Sequence, residues 1–394
     1  MIFLLMKCSS PDKKSANTPP QYAAFAGSTS CASCHKDIYE KHLYTEHFLS
    51  SKPISEEYIK GNFSEGKNEF HFSSLSSVKM EKNADSFFQT EYEMGAEKQK
   101  HPIDIIVGSG RKGQSFLSWK GNSLIQLPIT YYTPESTWSS SPGFNPRKPI
   151  FNRVITSRCL ECHSTYFQKT SEENKHPEEF SKTNIIYGID CEKCHGPAKE
   201  HVNYHTTNPK ETTPKYIINP GNLSRELKTD LCALCHSGRL QKTNPSFSFQ
   251  AGEKLSDHFS VTNTTANIPN MDVHGNQLGL LSFSKCYTAS DMTCTSCHNV
   301  HENEKGKLEV FSQRCRNCHN GSQHIQCKLA STVGDVINKN CIDCHMPLQP
   351  SQSIAVFLEG AEVPTIAKLR THHIKVYKDE SQKVLDYLKT IKAK

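Results

Sequence analysis

The chain has 394 residues, a net charge of +6 and a hydrophobic share of only 35%. The length allows two or three ordinary domains. The hydrophobic share is low for a globular protein of this size, and no segment after the first ten residues is apolar enough to span a membrane. Cysteine and histidine, at 17 and 20 residues, are far more frequent than usual. These numbers exclude an ordinary hydrophobic core as the whole basis of the fold, and we expect bound groups to supply part of it.

The N-terminal residues MIFLLMKCSS form a short apolar run that ends at Cys8. They resemble the end of a lipoprotein signal peptide, in which Cys8 would carry the lipid. The basic segment that normally comes first is missing, and Lys7 stands where a small residue is usual. We interpret residues 1–27 as a signal remnant and linker, and we expect residues 9–21 to form a disordered tether. Membrane attachment through a lipid on Cys8 is the corresponding expectation.

The rest of the chain divides into three parts. Residues 28–67 contain CASCH, and the KDIYEKHLYTEHFLSS that follows predicts a helix. Residues 68–154 contain the runs SFFQTEYEM, HPIDIIVGSG, QSFLSWKG and NSLIQLPITYY between turn residues, which predict a small inserted antiparallel β subdomain. Residues 155–394 have connectors rich in Asn, Thr, Pro and Ser, which predict short helices joined by loops. ESQKVLDYLKTIKAK predicts a C-terminal helix.

One motif, Cys-x-x-Cys-His, occurs seven times along the chain. The copies are CASCH (31–35), CLECH (159–163), CEKCH (191–195), CALCH (232–236), CTSCH (294–298), CRNCH (315–319) and CIDCH (341–345). Two thiols at this spacing can each form a thioether with a haem vinyl group, and the histidine that follows can bind the iron. Disulfides and zinc sites also use paired cysteines, but a histidine directly after every pair favours haem c. The sequence therefore predicts seven covalently attached haems.

The motifs also fix the first set of predicted cofactor residues. The thioether cysteines are Cys31, Cys34, Cys159, Cys162, Cys191, Cys194, Cys232, Cys235, Cys294, Cys297, Cys315, Cys318, Cys341 and Cys344. The motif histidines that would bind iron are His35, His163, His195, His236, His298, His319 and His345. Because haem c is attached outside the cytoplasm in bacteria, we expect a periplasmic or other extracytoplasmic location. The propionates of seven haems outweigh the net charge of +6, so we expect basic patches to pair with propionates and not with nucleic acid.

A second histidine closely follows three of the motifs, and chain length limits which iron it can reach. In CTSCHNVH only three residues separate His301 from the motif histidine, a span of at most ~10 Å. That span is too short to pass around the porphyrin to the opposite face of the same iron. In CRNCHNGSQH and CEKCHGPAKEH the spans to His324 and His201 reach roughly 17–20 Å. We therefore predict that His201, His301 and His324 bind irons of neighbouring haems.

Longer segments resemble a known family. CASCHKDIYEKHLYTEHF, GIDCEKCHGPAKEHV, CALCHSGR, SKCYTASDMTCTSCHNVH and CIDCHMP are similar to multihaem c-type cytochromes of the cytochrome c-554 class. That class belongs to a wider group with hydroxylamine oxidoreductase and pentahaem nitrite reductase. The resemblance covers most of residues 28–377 and implies that His47, His274 and His372 are iron ligands. It implies a fold that is mainly α with extensive loops, organised around seven haems, with the small antiparallel β subdomain inserted.

Six histidines outside the motifs are thus predicted as second iron ligands: His47, His201, His274, His301, His324 and His372. Seven irons need a seventh ligand, and without it one iron would stay open to a small substrate. The candidates for this position are His71, His205, His258 and His373. Three further histidines lie in polar or linker contexts and are expected to be exposed, namely His42, His101 and His176.

The sequence favours an electron-transfer protein, in which seven mostly bis-histidine haems connect a periplasmic or membrane quinol-linked donor with an acceptor protein. The alternative is an oxidoreductase that acts on nitrite, hydroxylamine, tetrathionate or a similar compound at one open-coordination haem. Whether the chain is an enzyme stays open at this stage, and no catalytic residue is assigned. Cys286 and Cys327 lie outside every motif and would either form a disulfide or pack as small core residues.

Overall fold

The structure is a computed structural model that describes residues 18–260, 271–321 and 327–392. Cys8, with the signal-like start, and the candidate ligand His324 lie outside the described residues. Helices and strands hold similar shares of the chain, 29% and 25%. The expectation of a mainly α protein is therefore wrong. The reason is that strands form throughout the insertion and also in hairpins next to the haem motifs.

The strands of the described residues are β1 (Ser51–Pro53), β2 (Glu69–Ser73), β3 (Ser76–Asn83), β4 (Ser86–Glu93), β5 (Ala96–Pro102), β6 (Ile105–Val107), β7 (Gly113–Lys120), β8 (Ser123–Gln126), β9 (Ile129–Tyr132), β10 (Thr137–Ser140), β11 (Arg153–Val154), β12 (Ser164–Lys169), β13 (Phe180–Tyr187), β14 (Gln241–Lys242), β15 (Phe259–Ser260), β16 (Leu348–Val356) and β17 (Thr365–Arg370).

The α-helices of the same residues are α1 (Ser28–Cys31), α2 (Lys36–His42), α3 (Ser157–His163), α4 (Cys191–His195), α5 (Lys199–Thr207), α6 (Arg225–His236), α7 (Gln277–Leu281), α8 (Lys285–Thr288), α9 (Leu308–Arg316), α10 (Ala330–Val333), α11 (Cys341–His345) and α12 (Lys378–Lys392). The predicted C-terminal helix is confirmed by α12.

The predicted antiparallel strands of the insertion are present and form two sheets. In the described residues, one sheet has four strands in the order β2-β3-β4-β5. The other has the order β1-β6-β7-β8-β11, and β9 joins it through β7 and pairs with β10. The two sheets share one hydrophobic core that includes Val78, Met80, Phe116 and Trp138. Burial of such a side chain contributes roughly 1.5–3 kcal/mol, so this core gives the insertion stability that does not depend on a cofactor.

A buried amide holds the two sheets together. The Gln89 Nε2 group on β4 donates to the Ile129 carbonyl at 2.8 Å, and the Ile129 N–H donates to Gln89 Oε1 at 3.0 Å. Gln89 is fully buried. Because its side chain satisfies both backbone groups of Ile129, it replaces the hydrogen bonds that a neighbouring strand would make.

The second sheet also contacts the second haem motif. Ser50, just before β1, and Ser51, its first residue, donate from their hydroxyls to the carbonyl of His163 at 2.9 and 2.7 Å. A second hydrophobic core joins Leu124 of the sheet to Leu160 of α3 and Phe167 of β12. The insertion therefore supports the second motif directly.

The parts around the other motifs have shorter elements. Helix α4 has five residues: the Asp190 side chain accepts the Cys191 N–H at its start, and Gly196 with φ of 78° ends it. Such a cap contributes about 1 kcal/mol. Helix α2 ends at His42, earlier than the sequence pattern predicted. The Thr45 hydroxyl donates to the His42 carbonyl at 2.7 Å and accepts the Phe48 N–H at 3.1 Å, which turns the chain out of the helix.

Within the described residues, no helix has the length and apolar character needed to cross a bilayer.

Candidate haem sites

Four of the motifs lie wholly within α-helices, namely the second in α3, the third in α4, the fourth in α6 and the seventh in α11. The third motif shows how such a helix is fixed. The Glu192 carboxylate is buried. It accepts backbone N–H groups from Ala26 at 2.8 Å, Gly27 at 2.9 Å and Ala198 at 2.7 Å. Ala26 and Gly27 directly precede α1, which carries the first motif. One carboxylate therefore fixes the first motif against the third.

Three motif histidines are oriented by a hydrogen bond at Nδ1. The acceptors are the Ile218 carbonyl for His195 at 2.8 Å, the Gln277 side-chain oxygen for His236 at 3.0 Å, and the Lys375 carbonyl for His345 at 3.1 Å. A carbonyl oxygen can only accept, so Nδ1 carries the proton and Nε2 keeps its lone pair. This is the arrangement that metal-binding histidines use.

Three motif histidines each face a histidine from outside the motifs. An imidazole nitrogen binds a transition metal at about 2 Å, so the two rings of a bis-histidine iron have centroids roughly 6 Å apart. The pairs observed are His47 with His236 at 6.3 Å, His195 with His301 at 6.1 Å, and His298 with His372 at 6.2 Å. Their separations match what an iron atom between the rings requires.

Burial keeps these imidazoles neutral. Desolvation is the largest cause that lowers the pKa of His47, and of His372, to about 4. The neighbouring histidines His236 and His298 add to the effect. Neutral imidazole is the form that binds a metal. At neutral pH both side chains therefore have the protonation state that iron binding needs.

His163 of the second motif also has a histidine from outside the motifs near it. Burial and then the charge of His274 lower the pKa of His163 to about 4. Asp272 fixes the position of His274, because its carboxylate accepts the His274 N–H at 3.1 Å and two backbone N–H groups of β16, from Gln352 and Ser353. The structure therefore brings His274 to the second motif, and an anchored carboxylate holds it there.

His201 and His205 lie one turn apart on α5, with ring centroids 4.6 Å apart. The His201 Nδ1 group donates to the Lys215 carbonyl at 2.8 Å, as in the three motif histidines above. The charges of His35 and His201 both lower the pKa of His195, after burial. His201 therefore lies near the third motif, and so does His35 of the first motif.

Cysteines of different motifs also lie side by side. Side-chain hydrogen bonds join Cys31 to Cys191, Cys162 to Cys235 and Cys232 to Cys294. The bond from Cys235 lowers the pKa of Cys162 to about 7, and the bond from Cys232 lowers the pKa of Cys294 to about 7. The first motif thus meets the third, and the fourth meets both the second and the fifth.

Hydrogen bonds join the later motifs. Arg314, directly before Cys315, donates to the Cys297 carbonyl at 2.8 Å, and Ser312 Oγ on α9 accepts the Cys341 N–H at 3.0 Å. The fifth motif therefore contacts the sixth, and the sixth contacts the seventh. The paired thiols and paired imidazoles of the motifs fit haem c.

Comparison with known proteins gives the same assignment. Residues 140–196 match the family model of cytochrome c554 and c-prime. A stretch of 193 residues, 48% of the chain, is 25% identical to the multihaem cytochrome MtrA of Shewanella baltica and covers 45% of that protein. The chain is a multihaem c-type cytochrome.

Two further relatives extend the comparison. Over 239 residues, 52% of the chain, the cytochrome is 24% identical to the dissimilatory sulfite reductase MccA of Wolinella succinogenes and covers 29% of it. The cytochrome thus spans less than half the length of both curated relatives. The crystal structure of the outer cell wall cytochrome OcwA superimposes with a TM-score of 0.57 over 92% of this chain and 81% of that chain. At 16% identity this likeness shows a shared fold alone.

The histidines considered for a seventh ligand differ in their surroundings. His258 is buried, but Ser248 Oγ lies 2.9 Å from its Nδ1 and Glu253 Oε2 lies 3.0 Å from its Nε2. Both ring nitrogens are therefore engaged. His71 is exposed and pairs with Glu359 at 2.7 Å. The remaining two are His205, whose Nε2 is buried with no hydrogen-bond partner among the described residues, and His373, which packs against Phe283 and Tyr377.

His42 was expected to be exposed, and that expectation is wrong. The side chain is buried, its Nε2 lies 3.4 Å from Asp190 Oδ1, and this nitrogen has no hydrogen bond within the described residues. His101 is only half-buried and His176 is exposed. Helical spacing could have indicated the burial of His42, because it follows the motif histidine His35 by seven residues and so shares its face of the helix.

Cys286 and Cys327 do not form a disulfide in the described part of the cytochrome, where both are free thiols. They lie beside different motifs. The charge of Cys286 raises the pKa of Cys297, after burial. Burial is the largest cause that raises the pKa of Cys341, and the charge of Cys327 adds to it, whereas a hydrogen bond with Ser312 opposes it.

Proposed function

We propose that this cytochrome transfers electrons through seven covalently attached haems, most of them held by two histidines. The observation that carries the proposal is the set of three imidazole pairs, His47 with His236, His195 with His301 and His298 with His372, whose separations fit an iron between the rings. Each haem would supply a one-electron iron couple. The role of the chain is to hold these groups side by side in one body, so that an electron entering at one motif can leave at another.

The geometry supports a specific set of iron ligands. His236 would be paired with His47, His195 with His301, His298 with His372, and His163 with His274. For His35 we propose His201, because its Nδ1 is bonded to a carbonyl in the same way as in the motif histidines. His319 and His345 remain. The candidate ligand for one of them, His324, lies outside the described residues. The iron of the other motif is the one that has no assigned second ligand.

The division of the chain follows from the same proposal. Residues 28–67 would carry the first haem and residues 155–394 the other six, with the β-rich insertion of residues 68–154 as a support for the second motif. We propose an extracytoplasmic location, where haem c is attached, and redox proteins as partners. A lipid on Cys8 would attach the cytochrome to a membrane.

A second candidate function is reduction or oxidation of a small nitrogen or sulfur compound at one iron with an open position. The likeness to a protein named as a dissimilatory sulfite reductase favours it over a purely structural role. Every motif of this chain ends in histidine. Such an activity would therefore depend on an iron that has a motif histidine on one face and no ligand on the other.

Electron paramagnetic resonance of the oxidised full-length cytochrome, with spin counting, tests both functions. Electron transfer predicts low-spin iron at every haem held by two histidines, seven haems by mass and iron analysis, and no spectral change with sulfite, nitrite or hydroxylamine. A high-spin iron whose signal shifts with one of these compounds, together with turnover of it, would instead support the second function. A smaller haem count would contradict the proposed ligand set.

A further inference from the structure

An ion pair between the buried Glu304 and the partly exposed Arg314 holds the fifth motif on both sides of its histidine. Arg314 Nη1 donates to the Cys297 carbonyl at 2.8 Å and to Glu304 Oε2 at 2.7 Å. The same Glu304 Oε2 accepts the backbone N–H of Asn299 at 2.9 Å. Arg314 Nη2 donates to the other oxygen of Glu304, so the pair is bidentate. Cys297 and Asn299 are the residues directly before and after His298.

The pair also places two opposite charges next to His298. Glu304 is only 6% exposed, and the hydrogen bond from Arg314 is the largest cause that keeps its pKa below the usual value. Glu304 is therefore ionised at neutral pH. Both charges are fixed by hydrogen bonds to the residues directly before and after His298, whose ring faces His372.

We propose that the pair of Glu304 and Arg314 is a positioning device that orients His298 and sets the reduction potential of the iron which His298 and His372 hold. The inference rests on the proposed function, since it needs an iron at that pair of histidines. It adds to that function a pair of opposite charges held beside one particular iron ligand. Arg314 directly precedes Cys315, so the same side chain also ties the fifth motif to the sixth.

The sign of each charge gives a directional test. Reduction adds an electron to the iron, so a nearby positive charge favours the reduced state and a negative charge favours the oxidised state. Glu304→Gln removes the negative charge and leaves the Arg314 cation, which raises the potential. Arg314→Gln leaves the Glu304 anion, which lowers the potential of the same iron. Loss of packing alone would move both variants in one direction or abolish the low-spin signal in both.

The experiment is a potentiometric titration of the full-length, haem-loaded cytochrome at pH 8, followed by optical and paramagnetic resonance spectra. We expect one component to shift upward in Glu304→Gln and downward in Arg314→Gln, with all other components unchanged. Arg314→Lys keeps the charge and is expected to restore most of the potential. Glu56→Gln is a matched control, since Glu56 accepts at 2.6 Å from Lys82 of the β-rich insertion, away from the fifth motif.

The outcomes separate the two levels of the proposal. If wild-type cytochrome lacks low-spin bis-histidine signals, the proposed function itself fails. If those signals are present but neither charge variant moves any component, or both move it in the same direction, only the role of the pair fails. Opposite shifts confined to one component, absent in Glu56→Gln, support it.

Discussion

The rings of His195 and His301 lie nearly parallel, with their centroids 6.1 Å apart and 21° between their planes. The two residues come from different motif segments: His195 ends the third motif, and His301 follows the fifth by three residues. An iron bound between them would join two distant parts of the chain. Haem attachment and folding of this core are therefore expected to depend on each other.

Replacing His301 by alanine tests this relationship. We expect one iron to change from low-spin to high-spin, because His195 would remain as its only protein ligand. Spin counting in the oxidised protein would show one additional high-spin haem. The matched control is His71→Ala, which removes an exposed histidine paired with Glu359 and should leave the count unchanged. An unchanged count in the His301 variant would mean that another residue binds opposite His195.

The two histidines of α5 can be separated in the same way. His201 donates from Nδ1 to the Lys215 carbonyl and keeps Nε2 for a metal, so His201→Ala is expected to produce one high-spin iron. His205→Ala should retain the wild-type spin count, because the proposed ligand set uses His201 on this helix while the His205 ring packs beside Tyr204. The reverse result would move the ligand assignment one turn along the helix.

The local chemistry of this core was readable from the sequence, and its long-range pairings were not. Motif spacing indicated haem c, and chain length alone indicated that His301 cannot serve its own haem. Alternation of residues indicated the strands of the insertion. In contrast, β1 pairs with β6 through Ser51 and Val107, more than fifty residues apart. Nothing in a local pattern specifies that partner.

Charged residues inside the haem part show the same limit. Glu192 lies within CEKCH, and the motif does not specify whether its side chain faces solvent or protein. Its three backbone partners come from residues 26, 27 and 198, which only the folded chain brings together. Glu304 and Arg314 are likewise ordinary loop and helix residues in sequence. Their significance depends on where the fifth motif turns, and that is a property of the tertiary structure.

Lys52 is a buried amine whose protonation should affect stability. Burial is the main cause that lowers its pKa to about 8, and its Nζ lies 3.0 Å from the centre of the Phe48 ring. The folded state therefore binds the proton less tightly than the unfolded state, whose lysine pKa is about 10.4. The free energy of unfolding should rise with pH between about 8 and 10.4, because the unfolded chain binds more protons there.

Lys52→Met removes the free-energy cost of burying a charged amine. We expect the variant to be more stable than wild type at pH 7 by roughly 1–3 kcal/mol, with the difference shrinking as the pH rises from 8 to 10. Urea unfolding followed by circular dichroism at both ends of this range measures it. Lys79→Met, at a half-exposed lysine paired with Glu69, is the control and should show no such pH dependence. A constant difference at all pH values would argue against a buried, weakly basic amine.

Ser51 supports the contact between the insertion and the second motif. Its hydroxyl donates to the His163 carbonyl at 2.7 Å and accepts the buried Gly188 N–H at 3.0 Å. Ser51→Ala would leave that N–H unpaired, which costs about 1–3 kcal/mol. The neighbouring Ser50→Ala is the matched control, because Ser50 donates to the same carbonyl but its hydroxyl accepts no buried group within the described ranges.

We therefore expect Ser51→Ala to lower the urea midpoint clearly more than Ser50→Ala. The low-spin signal of the iron held by His163 should also broaden in the Ser51 variant, because the carbonyl of that histidine loses its closest donor. Equal, small effects of both substitutions would show that the insertion is supported mainly by the hydrophobic contacts of Leu124, Leu160 and Phe167. In that case truncating Leu160 to alanine, and not the loss of a hydroxyl, would be the change that loosens the second motif.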